Sequence, residues 1–88
     1  MVNPYIDYDD VRIFHIDVLE EDLVWHRDKE DRTIIVLEGT GWKFQYDNDL
    51  PFELKLKDEV TIRKMVYHRL IKGKTPLRLE ISRGSNDY

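Results

Sequence analysis

The sequence contains no cysteine. This excludes a disulfide framework and any thiolate metal site, so a metal ion bound by this chain must rest on histidine, aspartate or glutamate. Long apolar runs are missing too, and none approaches the length that a membrane-spanning helix requires. The opening "MVNPYIDYDD" is acidic and lacks the apolar stretch of a secretory leader, which makes a soluble, cytoplasmic protein the expectation. A basic excess is absent, with a formal net charge of -4. A phosphate backbone is held by a dense basic face that displaces counterions, and the bases of "RKMVYHRLIKGK" are diluted by apolar residues. Neither nucleic acid nor membrane is an expected partner.

Serine is scarce, and Ser82 and Ser85 sit near the end of the chain with no nucleophile context around them. The acidic clusters "EEDL" and "DKED" lack the spacing of a calcium loop and read as solvated loop. "GTG" at 39–41 is a turn, because neither a helix start nor a phosphate-loop lysine follows it.

What remains is a small globular domain. Hydrophobic residues at 41% and charged residues at 36% suit a folded core with a heavily solvated exterior. A chain of 88 residues holds a single core, which the pattern places over 11–82 with a frayed tail at 83–88. Charge is uneven along it. Residues 1–31 carry ten acids and three bases, whereas 32–88 carry eight acids and eleven bases, so the two parts attract each other.

Short β-rich runs recur along the chain: "VRIFHIDV", "DLVWHR", "RTIIVLE", "WKFQYD", "FELKL", "EVTI", "VYHRLI" and "PLRLEIS". About eight strands at this spacing predict an all-β sandwich or barrel. Turn chemistry separates them at 39–41, 47–49, 57–58 and 72–76. Alternation assigns faces: Trp42, Phe44 and Tyr46 share one, as do Phe52, Leu54 and Leu56, and Leu77, Leu79 and Ile81. An aromatic stripe of this kind is a core feature before it is a ligand platform. "DEVTIRKMVYHRLIKG" also fits an amphipathic helix, with Asp58 as cap and Gly73 as stop, although its β-branched residues favour strands.

"HRDKEDRTIIVLEGTG" resembles the first motif of the cupin superfamily, roughly His-x-His, three or four residues, Glu, six residues, Gly. His26 stands at the first histidine, Asp28 at the second, Arg32 at the glutamate and Gly39 at the glycine. "KDEVTIRKMVYHR" is similar to the second motif, roughly Gly-Asp, a short strand, Pro-x-Gly, two residues and His. There Asp58 and His68 match, while Lys57 and Met65 replace the glycines and Arg63 the proline. The resemblance runs from about Leu23 to Ile81 and implies a small jelly-roll β-barrel of about eight strands, a homodimer, and a metal site at His26, Asp28 and His68. Functions within that superfamily are too diverse for a substrate to follow.

The residues themselves support more than one chemistry. On a strand, His26 and Asp28 point to one face, as two ligands of one ion require. With His68 from a distant strand they make a two-histidine, one-carboxylate set suited to Fe, Mn or Zn with positions left open. Arg32 opposes this, because a fixed cation repels a divalent ion and offers Asp28 an ion pair; a salt-bridged pocket without metal is the alternative. In a third reading Arg32 and the histidines bind a small anionic ligand, a carboxylate or phosphate, unless Glu38, of the same parity on an unbulged strand, neutralises Arg32. His15 in "IFHID" reads as an ordinary strand residue. Three functional classes follow: a metal- or ligand-binding module, a metal-dependent enzyme of dioxygenase or sugar isomerase type, and a structural or interaction protein.

Overall fold

The structure, a computed structural model, describes residues 4–83. Its strands are β1 (Tyr5–Tyr8), β2 (Val11–Phe14), β3 (Arg32–Glu38), β4 (Lys43–Tyr46), β5 (Phe52–Glu53), β6 (Glu59–Ile62), β7 (His68–Ile71) and β8 (Leu77–Arg83). All pairings are antiparallel. A five-stranded sheet has the order β1-β2-β8-β3-β6 and a three-stranded sheet the order β5-β4-β7. Each sheet stays open among the described residues, so the arrangement is two sheets across a shared core rather than one sheet closed into a barrel.

Period-2 alternation explains which side chains fill that core. Phe14, Ile34, Val36, Ile62, Leu77 and Leu79 project from the larger sheet, and Phe44 projects from the smaller sheet toward them. Trp42, just before β4, is fully buried; its ring lies 5.8 Å from that of Phe14, and its indole N–H donates to the Thr75 carbonyl at 2.6 Å. Gly73 packs so closely on Trp42 and the Thr40 carbonyl that a Cβ there would collide with both. The Tyr46 hydroxyl donates to the carbonyl of Thr61 on β6, a polar tie between the two sheets.

Four sequence expectations need correction. "DLVWHR" is not a strand: a short 3-10 turn occupies Glu20–Asp22, and only His26 pairs, in an isolated bridge with His68. β1 precedes the expected core; Tyr5–Tyr8 pairs with Val11–Phe14 through the two-residue turn Asp9-Asp10, Asp9 taking a positive φ of 54°. Alternation fails after Phe52, because β5 stops at Glu53; Leu54 is buried while Phe52 and Leu56 are exposed. Over 58–73 the favoured strands form, as β6 and β7, and the alternative helix does not. Asp58 caps a turn there, its carboxylate accepting the Lys55 N–H at 2.8 Å. Of the expected tail, Arg83 ends β8, and 84–88 lie outside the described residues.

Two of the second motif's altered letters take a backbone conformation that glycine favours. Lys57 (φ 71°) and Met65 (φ 62°) occupy left-handed conformations at the two positions where the resembled motif carries glycine. Such conformations are costly for residues with a Cβ and persist only where the surrounding structure enforces them. Here the turns are pinned: the Lys57 N–H donates to the Val36 carbonyl at 2.8 Å and the Met65 N–H to the Asp28 carbonyl at 2.7 Å. The second of these bonds holds the loop that carries Asp28.

Candidate metal centre

His26 and His68 are joined by a reciprocal pair of backbone hydrogen bonds, 3.0 and 2.9 Å, which bring their rings to 4.3 Å in a T-shaped contact. His68 belongs to β7 and is the one buried polar side chain among the described residues. Its ring stacks on Phe44 at 5.5 Å. Asp28 lies in the loop after the bridge, and Arg32 opens β3 four residues on, its guanidinium Nη1 3.5 Å from Asp28 Oδ1. All four side chains line one cavity of about 720 Å³, whose apolar wall includes Phe14, Ile34, Leu79 and Ile81. A donor atom from each of His26, Asp28 and His68 falls within 4.8 Å of the other two. The sequence prediction placed His26 and Asp28 together through strand alternation; the structure places them together through a bridge and a loop.

Hydrogen bonding settles which nitrogen each ring presents. His26 Nδ1 is 3.0 Å from the Val24 carbonyl and His68 Nδ1 is 2.9 Å from the Val66 carbonyl. A carbonyl only accepts, so each Nδ1 carries a proton, and in a neutral ring Nε2 is left with the lone pair. His68 Nε2 then faces Asp28 Oδ2 at 3.4 Å. With His68 neutral, two acceptors confront each other, an arrangement that a shared proton, a bridging water or a metal cation relieves.

Burial argues against the proton. Removal from water pushes the His68 pKa below its ordinary 6.5; the bond to Val66 opposes the shift, His26 reinforces it, Asp28 opposes it and Arg32 reinforces it. The sign for stability follows: the unfolded chain takes up a proton near pH 6.5 while folded His68 resists it. Its contribution is therefore complete above that pH and is lost as pH falls toward the depressed folded value. In chelator, the urea midpoint of the wild-type protein should fall between about pH 7.5 and pH 5, and His68→Gln should show a flatter dependence. Equal slopes would assign the acid sensitivity to other groups.

Arg32 is incompletely satisfied. Its Nε is buried without a hydrogen-bond partner, and its ion-pair distance to Asp28 is long. Glu38 does not neutralise it: a register shift between Val36 and Glu38 breaks the shared parity, and Glu38 sits 3.5 Å from Arg78 instead. Two arginines missed by sequence reasoning also line the cavity. Arg12 is held by Asp7 through bonds of 2.8 and 3.1 Å, which keep the Asp7 carboxyl below the usual range. Arg83 pairs directly with Arg32 across β8 and β3. Strand parity over 77–83 carries that signal, since Arg83 follows Leu77, Leu79 and Ile81 on the inward face. His15 is exposed just past the end of β2, and Glu20–Asp22 is the exposed acidic turn.

Comparison with solved structures identifies the fold. HppE in its FeII form superposes with a TM-score of 0.65 at 13% identity over 84% of this chain, which spans 40% of the HppE chain. A cupin-2 domain protein from Shewanella frigidimarina matches at TM-score 0.54 and 20% identity, covering 90% of this chain and 76% of its own. A cupin domain from Bordetella pertussis matches at TM-score 0.55 and 18% identity, over 91% and 88% respectively. No protein-family model matches the sequence, and no curated protein matches it. The chain has the cupin-superfamily fold. Its His-Asp-His group brings three donor atoms close enough together to hold a metal ion.

Proposed function

We propose that this chain is a small cupin-type binding protein that holds one divalent transition metal on His26, Asp28 and His68. The observation that carries the reading is the pair of Nδ1 contacts to the Val24 and Val66 carbonyls, which leave His68 Nε2 turned on the Asp28 carboxylate at 3.4 Å. Metal-ligating histidines are oriented in this manner, the second nitrogen fixing ring and tautomer. Likeness to HppE, whose structure is described as the FeII form, is consistent with such a site. An ion held by these three residues would supply Lewis acidity to a ligand bound in the cavity. The protein's residues do the rest. Phe44 stacks on the His68 ring, and the Val24 and Val66 carbonyls hold the two histidine rings in place.

A second reading, an anion pocket without metal, draws on the Arg32–Asp28 ion pair. Metal content separates the two. Untagged protein purified without chelator, then incubated with Mn(II), Zn(II) or anaerobic Fe(II), should carry a near-stoichiometric ion by elemental mass spectrometry. His26→Ala/His68→Ala should carry none while keeping its β-sheet circular dichroism. Wild-type protein that stays metal-free under every condition sinks the first reading and leaves the second.

A further inference from the structure

Arg32 stands where a divalent ion and a guanidinium compete for one carboxylate. Asp28 is the one acidic side chain within ion-pair range of Arg32 among the described residues, and it is also the only anion of the His-Asp-His group. An ion that draws on Asp28 leaves Arg32 without its partner. The guanidinium is poorly placed to bear this: its side chain is 19% exposed, its Nε is already unpaired, and Arg83 lies opposite it on the neighbouring strand. A like-charged pair facing across a ladder is destabilising until an anion joins it.

The cavity around Arg32 states what kind of anion fits. Arg12 is already committed to Asp7, and Glu30 stands 3.7 Å from the exposed Arg83, so once Asp28 is drawn away one partly buried guanidinium, that of Arg32, remains to be neutralised. Glu21 and Asp22 on the same lining repel a second negative charge. The remaining wall, with Ile34, Ile62, Leu79 and Ile81, accepts a short hydrocarbon body. A planar carboxylate matches the guanidinium fork.

We propose that the cavity takes a short-chain organic monocarboxylate on Arg32, and that this ligand and the metal bind cooperatively, because the metal draws Asp28 away from Arg32 and the carboxylate supplies Arg32 with a partner in its place. The inference rests on the metal reading above and adds to it a ligand class and a sign of coupling. The coupling is reciprocal: the carboxylate tightens metal binding by the same factor that the metal tightens carboxylate binding.

Co(II) titration followed by its visible absorption, with and without butyrate, tests this. In wild-type protein, saturating butyrate should raise Co(II) affinity about tenfold, whereas 1-butanol should leave it unchanged. Arg32→Gln should bind Co(II) more tightly than wild type without butyrate, again by about tenfold, because the repelling cation is gone, and butyrate should then shift its affinity less than about twofold. Arg32→Lys, which keeps the charge and loses the fork, should retain the weak anion-free affinity and respond feebly to butyrate; it carries the test if the glutamine variant does not fold. Butyrate shifting wild type and the Arg32 variants equally, or shifting none, overturns the coupling while the metal site stands. Absence of Co(II) binding in every variant and condition overturns the metal reading itself, and the coupling with it.

Discussion

Trp42→Ala should destabilise the domain by about 3–5 kcal/mol, a large part of the total stability of a chain this small. Three consequences of burial add up at this position. The side chain is fully buried, its ring lies 5.8 Å from the ring of Phe14, and its N–H satisfies the Thr75 carbonyl. Truncation removes transfer free energy, opens a void and leaves that carbonyl without its donor. Relaxation cannot close the void readily, because the segment carrying Gly73 is tied to the Thr40 carbonyl by the Lys74 N–H at 2.8 Å. Urea denaturation followed by far-ultraviolet circular dichroism should show a midpoint far below wild type or no cooperative transition at all. Trp25→Ala is the matched control: Trp25 is 40% exposed, and its loss should change stability by less than about 1 kcal/mol. A Trp42→Ala protein within about 1 kcal/mol of wild type would contradict the core assignment.

Asp28→Asn should remove two functions at once. Loss of a charged ligand should lower Co(II) affinity at least about 100-fold, beyond the effect usual for removing a partner that merely orients a ligand. Stability of the metal-free protein should fall by about 1–3 kcal/mol, because Arg32 is left partly buried and unpaired. The amide offsets part of this, since its N–H₂ can donate to His68 Nε2, the acceptor that faces Asp28 Oδ2 at 3.4 Å. Comparison of Asp28→Asn, Arg32→Gln and the double variant isolates the ion-pair contribution from that new bond. If the double variant is no more stable than Asp28→Asn alone, Arg32 does not depend on Asp28, and the competition on which the carboxylate proposal is built does not exist.

Within the candidate site, residue identity was legible and arrangement was not. His26, Asp28, Arg32 and His68 stand out by type and by spacing against two motifs, and the altered letters at Lys57 and Met65 conceal a backbone that still turns through positive φ. Motif letters report side-chain chemistry. The turn survives because hydrogen bonds to Val36 and Asp28 pin it from outside. Glu38 shows the opposite failure, since parity along a strand is a sound guide only until a register shift such as that after Val36.

By itself the sequence determined the local, periodic features. Strict alternation over 42–46 and 77–81 assigns the inward faces, because a pleated strand turns successive side chains to opposite sides whatever it pairs with. The missing cysteines limited any metal to nitrogen and oxygen donors. Tertiary structure alone decided the rest: that β1 joins the larger sheet, that "DLVWHR" contributes one bridge instead of a strand, and that the sheets remain open. It alone turned His68 Nε2 onto Asp28 and set Arg83 beside Arg32. These contacts join residues far apart in the chain. They depend on strand order and register, which no local pattern encodes.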